Sequence, residues 1–308
     1  MNIDELNSIV ETGDIDEFIR VSEARQVKAL SHIADMIVGR PGVRLVQLAG
    51  ASSAGKTTTA KRLCTQLRVN GVEAVHLSTD DYFVGEEENP VDENGEPDYE
   101  TIECVDMKRL AADINALLAG ESVRLRYFDF QRKHGFDRET MTNLAEGGVV
   151  VLEGIHALNP RLTADVPDAC KFKIFIEPKT QLEIFALTRL PTADGRLLRR
   201  LVRDNQFRKK SPLETFHLWP KVLAGEDKWI NPFRPNADVE FDSGLEYELA
   251  VLKHYVSGLL EMVKIRQPEQ TKAATLAEVL SLVVATDPTK VPGDSILRET
   301  IGGSQLEY

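Results

Sequence analysis

The segment Gly50-Ala51-Ser52-Ser53-Ala54-Gly55-Lys56-Thr57 brackets a short run of small residues between two glycines, followed at once by a lysine and a hydroxyl residue. That spacing suits a loop that cradles phosphate. Glycine at 50 and 55 permits backbone angles and close approach that a Cβ would obstruct. Successive N–H groups along the loop and the first helical turn, through Thr58, can then point at anionic oxygens, aided by the helix dipole. Lys56 can neutralise terminal phosphate oxygens, and Thr57 can offer its hydroxyl to Mg²⁺. The chemistry on offer is binding of a nucleoside triphosphate. The loop alone does not say whether the last phosphate goes to water or to a second substrate.

Other residues speak to that choice. Glu153 ends the apolar run Val149-Val-Val-Leu-Glu153. An acid there is costly if buried without a partner. Beside the loop it could hold Mg²⁺; otherwise it caps nearby N–H groups. Asp80 and Asp81 close a second β-rich stretch, Glu73 to Phe83. In an extended chain, neighbours point to opposite faces, so at most one of the pair faces the phosphates. An aspartate so placed could orient an attacking hydroxyl and take its proton. The alternative is a turn or capping acid. Arg196, Arg199, Arg200 and Arg203 fall at helical spacing, ahead of Arg208, Lys209 and Lys210. Arg196, Arg199 and Arg203 share a face. Such a segment could deliver cations to a γ-phosphate, or be a solvated, salt-bridged helix face.

These groups need a scaffold, and the hydrophobic pattern supplies one. Ile15, Phe18, Ile19, Val27, Leu30, Ile33, Ala34 and Ile37 repeat at helical spacing as far as Gly39-Arg-Pro-Gly42. Val43 to Gly50 reads as a doubly buried strand, and Lys56 to Gly71 as an amphipathic helix with its stop. A polar acidic loop spans 84–98, and Val105 to Gly120 reads as a helix. Ser122 to Phe130 alternates as an antiparallel strand would, with Val123, Leu125 and Tyr127 on one side. Two further apolar strands, near 149–153 and 171–177, precede the basic segment. A fifth strand, near 237–243, leads to helices over 245–263 and about 276–285. Apolar strands separated by helices predict an α/β fold: a five-stranded, mainly parallel sheet between two helical layers. The expected division is an N-terminal helical extension over 1–40, an α/β core over 41–268, and a C-terminal helix and tail over 269–308. Residues of about 84–144 read as an insertion between the second and third parallel strands, and about 189–215 as a basic arm that could close over the site.

Composition narrows the class. A formal net charge of −12 argues against bulk binding to nucleic acid or anionic membrane. The three cysteines show no metal-ligand or disulfide pattern. The N-terminus lacks a secretory layout, and no apolar run approaches membrane-spanning length, so the chain reads as cytoplasmic. The N-terminal helices and tail offer surfaces for a homo-oligomer.

The order of these motifs resembles the uridine kinase and phosphoribulokinase family of P-loop kinases over roughly 43–250. The family's phosphate loop matches Gly50 to Thr57, and its aspartate motif matches Ser78-Thr79-Asp80-Asp81-Tyr82-Phe83. Its Leu-Glu-Gly-Ile element is Leu152 to Ile155, and its lid pattern falls on Arg199, Arg200, Arg203, Asp204, Arg208 and Lys210. The resemblance implies a P-loop NTPase fold using ATP and Mg²⁺. It implies Asp80 as catalytic base, with Lys56 and Arg203 acting on the moving phosphoryl group. It also implies Mg²⁺ contacts from Thr57, Glu153 and Asp80, and phosphate contacts from Arg203, Arg208 and Lys210. For the acceptor it points to Tyr82, Phe128, His134 and either Asp98 or Glu100. The acceptor region departs from the family: Phe128 stands where a tyrosine is usual, and Lys133 takes a histidine's register, with His134 one residue on. Those departures resemble a divergent bacterial uridine kinase-like branch. The implied activity is ATP-dependent phosphorylation of a small molecule's hydroxyl, most simply a nucleoside's. A sugar phosphate or polyol kinase is the first alternative, and a nucleotide-responsive regulator the second.

Overall fold

The computed structural model of the protein describes all residues except 94, 131, 180–181, 186–187, 264–268 and 308. The chain opens with helices α1 (Ile3–Thr12) and α2 (Ile15–Val38). Asn2 and Glu5 form a reciprocal capping box at the start of α1, and Gly13, at φ +88°, ends it in the left-handed conformation that glycine adopts readily. Then follow β1 (Leu45–Gly50), α3 (Lys56–Val69) and β2 (Ala74–Ser78). Helix α4 (Met107–Leu118), capped by Asp106, and a hairpin of β3 (Arg126–Asp129) with β4 (His134–Asp137) fill the stretch before β5 (Val149–Glu153). The rest comprises β6 (Lys171–Glu177), a small ribbon of β7 (Glu183–Phe185) and β8 (Thr188–Arg189), then α5 (Thr192–Phe207) and α6 (Pro212–Trp229). After these come β9 (Val239–Asp242), α7 (Glu248–Glu261), α8 (Glu269–Ser281) and the short α9 (Arg298–Ile301).

The main sheet has the order β2-β5-β1-β6-β9, with every neighbouring pair parallel. Its two faces are covered by different helices. Val46, Leu48, Val149 and Val151 pack under Leu30, Ile33 and Ile37 of α2 and Leu63 and Leu67 of α3. Leu45, Val150 and Leu152 pack against Leu110, Ile114 and Leu117 of α4. Each such fully buried side chain contributes roughly 1.5–3 kcal/mol of transfer free energy. The expected three-layer arrangement is therefore present. The register pairs Glu153 with both Leu48 and Ser78, bringing the carboxyl ends of β1, β2 and β5 together. In an open parallel sheet, that is the edge where ligands bind.

Several expectations need correction. The N-terminal extension packs onto the sheet, with α2 in the same layer as α3. Asp80 and Asp81 lie not on a strand but on a 3₁₀ turn, Thr79–Tyr82, whose start is fixed by Asp80 N–H donating to Ser78 Oγ. The last long helix ends at Ser281 and begins at Glu269, several residues earlier than its apolar pattern suggested. The alternation Val123, Leu125, Tyr127 breaks after Leu125, leaving Tyr127 exposed on the hairpin's outside and Phe128 buried. Pairing with β4 begins only at Arg126, so the upstream residues follow a different strand-like path, joined to Thr142. The boundary expected at 268/269 touches residues outside the described ones.

Candidate active site

The phosphate loop is built backwards from its carbonyls. Lys56 Nζ donates to Ala51 O at 3.1 Å, Arg196 to Ser52 O at 3.1 Å, and Arg199 to Ser53 O at 3.5 Å. Ser243 Oγ donates to Ala54 O at 2.6 Å, and Thr59 Oγ1 to Gly55 O at 2.7 Å. Five consecutive carbonyls are thus tied into the fold. Among the described residues, the N–H groups of Ser52, Ser53, Gly55, Lys56 and Thr57 make no hydrogen bond. Donors held in a ring with their acceptors turned away form an anion cradle. Gly50 is required by crowding, since a Cβ there would lie 2.3 Å from Ile176 O. Gly55 is required by its backbone, at φ +82°.

Two acids meet this cradle. Thr57 Oγ1 donates to Glu153 Oε1 at 3.0 Å, so the hydroxyl and the carboxylate face one another. Glu153 is only 2 % exposed, and its carboxyl is pushed above the usual range by burial first and then by the Asp80 charge, which Lys56 opposes. His76, 3.8 Å away, does not compensate: burial pushes its imidazole down to about 4, so it is neutral near pH 7. Asp80 makes no side-chain hydrogen bond or ion pair among the described residues, whereas its neighbour is fully employed. Asp81 accepts from Phe128 N–H at 3.3 Å and pairs with Arg138 at 3.5 Å, anchoring the hairpin to the turn. The turn itself is seated by Gly154 (φ +152°), where a Cβ would fall 1.8 Å from Thr79 Oγ1. Gly154→Ala is expected to lower the unfolding free energy by about 2–3 kcal/mol in urea titrations, because neither backbone can yield freely.

Thr57, Glu153 and Asp80 are hard oxygen donors whose two carboxylates crowd one another, which fits a small divalent cation. No group of three or more His, Cys, Asp or Glu side chains is placed to cage a metal among the described residues.

The basic segment is not a solvated face. Arg196, Arg199 and Arg200 are buried on α5, whose Leu197, Leu198, Leu201 and Val202 are core residues shared with α7. Arg196 forms a bidentate pair with Glu226 of α6 at 2.5 and 2.8 Å, and Arg199 binds Glu248 of α7. Trp219 shelves the guanidinium groups of Arg196 and Arg200, at 5.4 and 6.0 Å. Helix α5 is therefore a docked wall of the loop in this structure rather than a free arm. Beyond it the charge balance changes. Asp204 is fully buried among Arg200, Arg203 and Arg208, with ion-pair distances of 3.2, 3.4 and 3.7 Å. Burial works against its charge, yet Arg203, Arg200, Arg208 and Lys210 together hold its carboxyl below the usual range. Asp204 meets four cations, and Glu100, Asp80 and Glu214 also act on Arg200, Arg208 and Lys210 respectively.

The expected acceptor side is acidic and aromatic. Glu100 N–H donates to Asp98 Oδ1 at 3.0 Å, and Glu100 lies within electrostatic reach of Lys56, Arg200 and Glu226. Burial, opposed by Arg200 and reinforced by Glu226 and Asp98, pushes its carboxyl up to about 7. Gly225 of α6 makes room for it, since a Cβ there would lie 2.6 Å from Glu100 Cβ. Phe128 is buried edge-on to Phe83 and Phe130. Two expected acceptor residues are placed otherwise. Tyr82 is sealed in the core, its hydroxyl donating to Asp113 of α4 at 2.9 Å. His134 is exposed on β4, edge-on to Phe136. Motif reading passed over Glu226 and Ser243, which hold the loop and its wall. No local pattern marks them, as each acts across more than twenty residues of chain.

The Phosphoribulokinase / Uridine kinase family model matches residues 45–250. A uridine kinase of Deinococcus deserti is 28 % identical over 214 residues, which is 69 % of this chain and 90 % of that protein. A uridine kinase of Halobacterium salinarum is 26 % identical over 201 residues, 65 % of this chain and 80 % of its own. Among solved structures, a possible uridine kinase from Bacillus stearothermophilus aligns with a TM-score of 0.45 at 20 % identity, covering 71 % of this chain and 100 % of that one. No helix among the described residues is long and apolar enough to cross a membrane.

Proposed function

The chain belongs to the phosphoribulokinase / uridine kinase family, and from that premise we propose that it is a kinase whose hydroxyl acceptor is a nucleoside. Its activity class is ATP-dependent phosphoryl transfer to a hydroxyl of a small molecule. The observation that carries the site assignment is one juxtaposition: the unengaged Asp80 carboxylate beside a cradle of unengaged N–H donors.

In this reading the loop donors bind the ATP phosphates, and the ammonium of Lys56 leaves Ala51 O for a phosphate oxygen. Asp80 accepts the proton of the acceptor hydroxyl as the new oxygen–phosphorus bond forms and the bridging bond to the β-phosphate breaks, releasing ADP. Arg203, Arg208 and Lys210 supply the positive charge that meets charge spreading over the transferred group. Thr57 and Glu153, with Asp80, would hold Mg²⁺, which when bound neutralises phosphate charge. Asp98 and Glu100 orient acceptor hydroxyls, and Phe128 backs the aromatic wall.

The acceptor's charge follows from its surroundings. Asp98 and Glu226 act on Glu100 as like charges, with Arg200 and Lys56 opposing them, and Asp80 joins Asp98 and Glu100 around Cys104. A sugar phosphate would bring its own anion to those carboxylates, while a neutral, hydroxyl-rich nucleoside would not. Measuring ADP release across nucleosides, polyols and sugar phosphates tests this. Nucleosides are expected to raise turnover well above water hydrolysis. No stimulation by any acceptor would sink the kinase assignment, and preference for a sugar phosphate would sink the nucleoside.

A further inference from the structure

The C-terminal tail, beyond the stretch matched by the family, reaches the phosphate cradle. Ile296 is 1 % exposed, and a Cβ on Gly55 would meet its Cγ2 at 2.3 Å. Three residues later, Glu299 Oε2 accepts from Thr58 Oγ1 at 2.8 Å and from Thr58 N–H at 3.4 Å. Thr58 is the third residue of α3, so its N–H belongs to the first turn, where a helix offers donors to an anion. Among the described residues, the other cradle donors, from Ser52 to Thr57, are unengaged apart from that of Ala54. The carboxylate thus sits where the loop's positive end would otherwise face a phosphate.

The contact is built rather than incidental. Arg298 ties the tail into a knot, donating to Pro288 O at 3.2 Å, Val291 O, Pro292 O at 3.3 Å and Gly302 O at 3.2 Å. Ser295 Oγ lies 3.3 Å from Tyr247 Oη, which in turn donates to Glu23 of α2 at 2.7 Å. Leu297 and Ile301 are buried in the cluster shared with α5 and α7. Glu299 therefore cannot drift far from α3. Its charge also reaches the other carboxylate of the site, since it is among the groups that raise Glu153.

We propose that Glu299 is a built-in competitor of the nucleotide: a tail carboxylate that holds the α3 donors while the cradle is empty and opposes the arriving phosphates. It compensates the helix dipole and the loop cations in the free protein. When an anion enters, the same charge becomes a repulsion that binding must overcome. The residue lowers nucleotide affinity without touching the acceptor. Affinity for ATP is thereby set partly by a segment outside the kinase core.

The inference rests on the phosphate-binding reading, and one experiment separates the two. ATP titrations by calorimetry should compare the full-length parent with Glu299→Gln, which keeps an oxygen for Thr58 but removes the charge. Glu299→Ala serves as a second variant, and Asp294→Asn, at an exposed tail position, as a control. Both Glu299 variants are expected to lower the Kd for ATP by about three- to tenfold, the size of one partly screened charge at close range. The gap should narrow as salt is raised, and Asp294→Asn should leave the Kd unchanged. An unchanged or raised Kd in folded Glu299→Gln overturns the proposal and makes the residue a support of α3. Absence of saturable ATP binding by the parent protein overturns the phosphate reading instead.

Discussion

Replacing Asp80 by asparagine is expected to lower kcat by about 10²- to 10⁴-fold, the usual contribution of a positioned general base. The same change should leave the fold and ATP binding intact. The carboxylate has no hydrogen-bond or ion-pair partner to lose among the described residues, so stability should stay within about 0.5 kcal/mol. Affinity for metal-free ATP should hold or improve, because Asp80 is the charge that, after burial, does most to raise Glu153. Coupled measurement of ADP release with a nucleoside acceptor, alongside ATP calorimetry, reads both halves. A kcat within tenfold of the parent would remove Asp80 from the chemistry, and loss of ATP binding would reassign it to the cradle. The matching change at Asp81 should behave differently. That side chain holds Phe128 N–H and Arg138, so its loss should appear first as instability of the hairpin.

Glu153→Gln is expected to separate activity from stability in opposite directions. Transfer should fall by about 10²- to 10³-fold, as when a group that organises charge around the moving phosphoryl is deleted. Stability of the nucleotide-free protein should rise near and above neutral pH. Burial and the Asp80 charge raise the folded carboxyl above the value it has in the unfolded chain, so the folded state holds its proton more tightly. The stability linked to that proton is fully present below the unfolded value and is lost as pH rises through the raised folded value. A glutamine never suffers this loss. The variant should therefore exceed the parent by on the order of 1–3 kcal/mol at pH 8 and converge with it in acid. Urea titrations at several pH values measure the difference. If Glu153→Gln lost stability at every pH, the carboxylate would be a structural cap rather than a poised ligand.

The site was partly legible in one dimension because phosphate chemistry constrains neighbours in sequence. A loop that turns consecutive N–H groups toward an anion needs glycine at fixed positions and a helix directly after it. Gly50, Gly55, Lys56 and Thr57 therefore mark such a loop locally. Glu153 was visible as an acid embedded in an apolar strand, where charge without purpose is costly. The aspartate pair was visible too, but not the difference between its members. That difference arises because Thr79–Tyr82 turns as a 3₁₀ segment instead of continuing β2, so strand alternation does not apply. Tyr82 was misplaced for the same reason: the turn carries its ring into the core, toward Asp113.

The basic segment marks the limit most clearly. Its composition fits a mobile arm or a wet surface equally well, since arginine spacing says nothing of what lies opposite. Burial of Arg196 and Arg199 depends on Glu226 and Glu248, which lie thirty and forty-nine residues further along the chain.

By itself, the amino-acid sequence determined the α/β class, the phosphate loop, the acids that could serve it and the overall order of strands and helices. These depend on periodicity and on spacings within one turn or one strand, which a chain carries wherever it goes. Only the tertiary structure decided which carboxylate is engaged and which is left unengaged. It also decided that α5 is a wall rather than an arm, and that the tail's Glu299 meets Thr58. Those outcomes rest on pairing between groups far apart in the chain, where desolvation makes each partner's charge matter and no local pattern records it.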